Sequence, residues 1–274
     1  MLSINKIPKP SRSPVAFGKV SIIITNFKKE KFLKKAILSC LRQSYLNIEV
    51  LVVDDCSDRD SVRAIIKSVR NKRVRFLYTT KNYGHYACAN YAMDKASGRY
   101  ITFLGADDTI GPNHVLNLIL ALNKHKLMGV CSLYSRYHED GNRAGVGGKL
   151  CEASILFEKN KYLKNIGYFH MTRCAADTEY RERAIKYFGK NRFGILKVDS
   201  YKALYSETSL TRSPATGRNS SGRKGYTKRF FHNIKVSKTK DLYFNYKSGS
   251  LSFPIPDDIS VKDFDLKTFG EERV

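Results

Sequence analysis

The sequence predicts an α/β domain with a mostly parallel central sheet flanked by helices. Short β-branched and aromatic runs alternate with helical stretches four times between residues 20 and 104, the spacing of βαβ units. Each run carries the contiguous apolar pattern of a buried strand. Three of the runs end in polar clusters, Thr25-Asn26-Phe27, Asp54-Asp55 and Asp107-Asp108. In open α/β sheets, ligands bind beyond the carboxyl ends of the strands, so the clusters predict a binding crevice along one sheet edge.

In order, residues 20–25 read as the first strand, ended by Asn26-Phe27. Residues 29–43 follow as an amphipathic helix, with Phe32, Leu33, Ala36, Ile37, Cys40 and Leu41 at helical spacing. The strand 48–53 runs into Asp54-Asp55-Cys56-Ser57-Asp58; 61–69 is helical, 74–78 a third strand, and Asn82-Tyr83-Gly84 opens a helix reaching residue 96. The strand 100–104 leads to Asp107-Asp108, and Gly111-Pro112 turns the chain into the apolar run 115–122. Adjacent carboxylates at the end of a buried strand repel each other, and holding a cation or a sugar hydroxyl relieves that; the structural alternative is a solvated turn with a helix cap.

Farther on, 129–134 and 153–158 read as strands and 135–148 as a mobile loop. Residues 159–166 form a short helix stopped by Gly167, and 175–189 a helix capped near Asp177. Residues 206–229 read as a flexible basic loop. The expected organisation is a flexible basic arm over 1–18, one domain over 19–235 and a tail over 236–274, with Tyr243, Phe244 and Tyr246 of the tail used for packing.

The 274 residues carry a net charge of +24, which attracts polyanions. No apolar run approaches the ~18 residues of a membrane span, and the first eighteen residues contain three prolines and no apolar signal region. Six widely spaced cysteines without a C-x-x-C pair argue against a zinc site or a disulfide framework and suit a reducing cytosol. No Gly-rich phosphate loop follows the first strand, which disfavours a dinucleotide or P-loop site.

Taken together, the segments resemble a family 2 glycosyltransferase of the GT-A fold. The resemblance covers roughly residues 18–235 and rests on five segments in order. The strand Val-Ser-Ile-Ile-Ile-Thr-Asn-Phe from Val20 and Ile-Glu-Val-Leu-Val-Val-Asp-Asp-Cys-Ser-Asp from Ile48 come first. The stretch Asn82 to Asn90 continuing into Gly98-Arg-Tyr-Ile-Thr-Phe-Leu-Gly-Ala-Asp-Asp is third. Residues 154–169 leading to Ala176-Asp-Thr-Glu-Tyr-Arg are fourth, and Ser209-Leu-Thr is similar to the closing loop. The resemblance implies a nucleotide-binding half (19–110) and an acceptor half (111–235).

It further implies that Thr25, Asn26 and Phe27 lie against the base of a nucleotide-diphosphate sugar, usually UDP. Asp55 or Asp54 would accept from base or ribose, and Asp107 would face the ribose or sugar. Asp108 would hold a divalent cation, Mn2+ or Mg2+, and Asp177 would be the general base of an inverting transfer, with basic residues of 206–229 closing over the diphosphate. Three positions depart from the pattern: Gly105 stands where Asp is frequent, Ala89 where Arg is common, and Ala176 where Glu often precedes the base, which makes Glu179 a rival base. The implied acceptor is a glycan or lipid-linked hydroxyl in surface polysaccharide synthesis. The implied location is the cytoplasm, with an anionic membrane surface as a further partner and no nucleic acid expected. The competing functions are a sugar-phosphate nucleotidyltransferase and a basic nucleic-acid- or membrane-binding module with an inactive nucleotide site. His85, His114, His138 and His170 lack ligand spacing and are assigned surface or packing roles.

Overall fold

A three-residue strand, Leu2–Ile4 (β1), opens the chain and pairs in parallel with a strand nearly two hundred residues away. The amino-terminal arm is therefore partly ordered, with Ile4 buried in the core. The computed structural model describes residues 1–7, 17–145, 148–206, 214, 216–217, 219–248 and 255–272; the predicted closing loop at 209–211 lies outside them.

The four predicted strands and the three helices between them form as expected. They are β2 (Val20–Asn26), α1 (Glu30–Leu41), β3 (Ile48–Asp55), α2 (Arg59–Val69), β4 (Val74–Thr79), α3 (His85–Lys95) and β5 (Tyr100–Gly105). These strands lie parallel in the order β5-β2-β3-β4. Register aligns the polar strand ends, with Asn26 opposite Asp54 and Thr25 opposite both Val53 and Gly105. Side chains alternate faces along a strand, so Ile22 and Ile24 pack under α1 and α2, whereas Ile23 joins Leu51, Val53, Ala87 and Phe103 under α3.

Beyond β5 come β6 (Thr109–Ile110), α4 (His114–Lys124), β7 (Gly129–Tyr137), β8 (Lys149–Leu150), β9 (Leu156–Glu158), α5 (Lys159–Asn165) and α6 (Ala176–Phe188). The strand expected over 153–158 contracts to three residues because Glu152–Ser154 winds into a 3-10 turn. The loop expected over 135–148 begins later, since β7 continues to Tyr137. The cap of α6 is Ala175, in the left-handed region at φ 60°, and not Asp177, which sits inside the first turn.

The final segments are β10 (Phe193–Leu204), α7 (Ser221–Val236) and β11 (Phe269–Glu272). The twelve-residue β10 was not anticipated; it pairs in parallel with β7 and β1, and antiparallel β9 joins that block to β5. Much of the basic segment 206–229 is also not loop, because α7 begins at Ser221. The tail packs as expected for Phe244 and Tyr246, both buried, while Tyr243 is exposed. Its last strand, β11, covers the edge of β4 in antiparallel register.

Candidate active site

The two aspartate pairs stand at equivalent strand ends but in different surroundings. Asp54 accepts from Asn26 Nδ2 at 2.7 Å and from the Ser57 amide at 2.9 Å. Asp55 accepts from the Tyr83 amide (2.7 Å), the Gly84 amide (2.7 Å) and Asn82 Nδ2 (2.9 Å). Both carboxylates are buried. Burial raises the Asp55 pKa to about 6, against the pull of its two amide donors. Asp55 thus pins the 82–84 turn to the end of β3, and Arg173 holds the other side of that turn through Asn82 Oδ1 at 2.7 Å.

Asp107 and Asp108 are each half-buried. Lys29 Nζ lies 3.1 Å from Asp107 Oδ2. Asp108 accepts from Tyr201 Oη at 2.7 Å and from the Leu204 amide at 2.8 Å. Desolvation, then the neighbouring Asp107 charge, push the Asp108 pKa up to about 7. The same Tyr201 hydroxyl accepts from the Gly105 amide at 3.1 Å. A Cβ at Gly105 would come within 2.7 Å of Asp108 Oδ2, so the absence of a side chain at 105 leaves the space this carboxylate occupies. Beside the pair opens a cavity of about 320 Å3, walled in part by Lys31, Lys35, Tyr137 and Lys202.

The third carboxylate comes from the other half of the chain. Asp177 Oδ1 accepts from Tyr86 Oη at 3.0 Å and from the Thr178 amide at 2.8 Å, leaving Oδ2 without a donor among the described residues. His85 connects the regions. Its Nδ1 shares a hydrogen bond with Thr25 Oγ1; burial lowers its pKa, while the charges of Asp177 and Asp107 oppose that. One imidazole therefore lies within electrostatic reach of the first strand end, the open aspartate pair and Asp177. Glu179, by contrast, is fully buried and paired with Arg183 Nε at 2.8 Å on the inner side of α6.

Among the predicted residues, Thr25 and Asn26 are buried at the strand end, and Phe27 projects just beyond it, 43% exposed. Three non-glycine residues adopt the left-handed backbone region directly beside these groups: Lys28 (φ 53°), Cys56 (φ 64°) and Ala175 (φ 60°). Such residues cost about 1–2 kcal/mol each and cluster at functional sites. Sequence reasoning missed His85, Tyr201 and Arg173, whose places depend on partners distant in the chain. Among the described residues no group of three or more His, Cys, Asp or Glu side chains forms a metal cluster. Yet two adjacent hard-oxygen donors, with the proton affinity of Asp108 raised, fit a divalent cation that neutralises them.

The mostly parallel sheet with helices on both faces has the GT-A architecture of glycosyltransferases. The chain belongs to Glycosyl transferase family 2, whose model matches residues 21–181. An uncharacterised glycosyltransferase of Haemophilus influenzae is 40% identical over 111 residues, 40% of this chain and 44% of that protein. The UDP-Glc:alpha-D-GlcNAc-diphosphoundecaprenol beta-1,3-glucosyltransferase WfgD of Escherichia coli is 32% identical over 148 residues, 54% of this chain and 56% of that one. The chain thus spans about half the length of these relatives. In fold it is similar to the mannosyltransferase PcManGT of Pyrobaculum calidifontis in complex with GDP-Man and Mn2+, with TM-score 0.59, 15% identity, and coverage of 85% of this chain and 71% of that one. No helix of the described residues is long and apolar enough to cross a membrane.

Proposed function

We propose that the protein transfers a sugar from a UDP-sugar to a hydroxyl of a lipid-linked or glycan acceptor in polysaccharide synthesis, with inversion at the anomeric carbon. The observation that carries this reading is the place of His85, which is hydrogen-bonded to Thr25, lines one cavity with Asp177 and lies within electrostatic reach of Asp107. It joins a strand end of the nucleotide half to the one site carboxylate from the acceptor half. The likeness to WfgD, a glucosyltransferase from UDP-Glc to a diphosphoundecaprenol-linked sugar, supports the choice of a UDP donor and a diphosphate-lipid acceptor.

In this reading the Phe27 ring stacks on the base, and Asn26 and the Asp55-pinned turn frame its pocket. Asp107 faces the ribose or sugar. Asp108 would hold Mn2+ or Mg2+, whose positive charge would offset that of the departing diphosphate. The acceptor hydroxyl attacks the anomeric carbon while Asp177 Oδ2 takes its proton. The bond from that carbon to the diphosphate oxygen breaks, and its electron pair leaves with the nucleotide. Tyr86 steadies the other oxygen of Asp177.

The test is thermal stabilisation by UDP, GDP, dTDP and CMP, each with and without Mn2+, on the wild type and on Asp108→Asn. A Mn2+-dependent shift with UDP that vanishes in the variant is expected. No shift with any nucleotide would overturn the reading, and a preference for GDP would overturn the donor assignment.

A further inference from the structure

The helix α7 is two-sided in an unusual way. Its inner residues Tyr226, Phe230 and Ile234 pack on Cys174 and Ala175, the residues just before the helix that carries Asp177. Near its amino end, the charge of Arg223 reaches Tyr86 and Cys174, both neighbours of Asp177. Its solvent side carries Lys224, Lys228, Phe231 and Lys235 on one stripe, at spacings of four, three and four residues, with His232 and Val236 alongside. Phe231 is 46% and Val236 62% exposed. From residue 208 to 240 the chain has nine Lys or Arg and no Asp or Glu. An acidic residue, Asp258, abuts only the first turn, at Gly222.

A large aromatic side chain is poorly placed in water, and a ring of lysines around it repels itself. Both costs fall when the helix lies in the plane of an anionic bilayer, with the apolar side chains in the headgroup boundary and the lysines at the phosphates. A folded partner protein would call for a wider apolar patch than Phe231, Val236 and Tyr243 supply. Nucleic acid would use the lysines but leave Val236 without a role.

We propose that the solvent face of α7 docks on an anionic lipid bilayer. The packing of α7 against the residues before Asp177 then holds the acceptor site beside the membrane, where a lipid-linked acceptor presents its hydroxyl; only this second step rests on the glycosyl-transfer reading.

The chain contains no tryptophan, so a single introduced one is an unambiguous probe. Phe231→Trp is titrated with vesicles of phosphatidylcholine alone and of phosphatidylcholine mixed with phosphatidylglycerol. A blue shift of emission with the anionic vesicles only is expected. Leu46→Trp, 67% exposed and at the amino end of β3, away from the carboxyl strand ends that carry the site, is expected to show none. Adding Lys228→Gln and Lys235→Gln to the probe is expected to weaken partition about thirtyfold, since each lysine near such a surface contributes about 1 kcal/mol. Flotation of the unsubstituted protein with the same vesicles repeats the test without any substitution. No shift at 231, an equal shift at 46, or a response to single-stranded RNA with vesicles left unbound would each overturn the proposal. Nucleotide stabilisation without vesicle binding removes the docking alone; vesicle binding without nucleotide stabilisation upholds it and removes the transfer reading alone.

Discussion

The dipeptide Asp-Asp occurs at the ends of two strands of one sheet, β3 and β5, and the protein treats the two copies in opposite ways. At β3 both carboxylates are buried and receive donors from Asn26, Ser57, Asn82, Tyr83 and Gly84. They bind protein to protein, tying the ends of β2 and β3 and the 82–84 turn together. At β5 the carboxylates are half-exposed, face each other's charge, and border a cavity with lysines on its walls. They are the groups with binding capacity left over. Burial raises the pKa of both, to about 6 at Asp55 and about 7 at Asp108, and only Asp108 has a like charge beside it adding to that rise. The identity of a carboxylate in sequence therefore says less about its work than the number of N–H groups aimed at it.

The largest effect that can test this division is at the remaining carboxylate with an open oxygen. Asp177→Asn is expected to lower kcat by ~10²–10⁴, the range for a lost general base, with UDP-dependent thermal stabilisation unchanged. Loss of both together would move Asp177 into the framing class. Next comes the direct contrast. Asp55→Asn turns an acceptor oxygen into an amide nitrogen facing N–H donors, and a cost of about 2–4 kcal/mol in urea unfolding is expected. Asp108→Asn keeps partners for Tyr201 and the Leu204 amide and removes repulsion from Asp107. Its stability is expected to stay within about 1 kcal/mol of wild type while the Mn2+ effect disappears. Equal destabilisation by the two substitutions would erase the distinction.

The framing half was legible because its information is local. β-branched apolar runs such as Ile22–Ile23–Ile24, bounded by turn residues, favour a buried strand, and the Asp pairs stand at the ends of two such runs. The later part of the chain was legible mainly where it resembles the family, as at Asp177. β10 escaped notice because Lys197, Asp199 and Lys202 interrupt its apolar pattern and its pairing with β7 slips on either side of Asp199. Tyr201, the partner of Asp108, went unseen with it. His85 has no helpful neighbours in sequence; Thr25, sixty residues earlier, fixes its place. For α7 a signal was present, Tyr226, Phe230 and Ile234 at intervals of four, but the surrounding Ser, Gly, Arg and Lys outweighed it.

Acid titration sharpens the contrast further. The native state holds a proton on Asp55 up to about pH 6, whereas the unfolded chain releases it near 3.8. Between those values the native state binds more protons, so this group's contribution to stability falls as pH rises. Asp55→Asn is expected to remove that slope from a plot of unfolding free energy against pH, and an unchanged slope would mean that donors, not burial, govern the site.

The smallest expected effect lies at the far edge of the sheet, where a carboxylate is satisfied by cations rather than by amides. Glu272 on β11 receives Arg59 and, at 2.7 Å, Arg63 from α2, and these partners hold its pKa down to about 2, against 4.5 unperturbed. The sign is opposite to that of Asp55: stability from this contact is present above pH 4.5 and is lost as pH falls toward 2. The pair is near the surface, so Glu272→Gln is expected to cost about 1 kcal/mol or less, read as faster exchange of the backbone amides that pair β11 with β4. A larger loss would mean that β11 is not a clasp laid on a finished sheet but part of what holds the Asp55 frame in place.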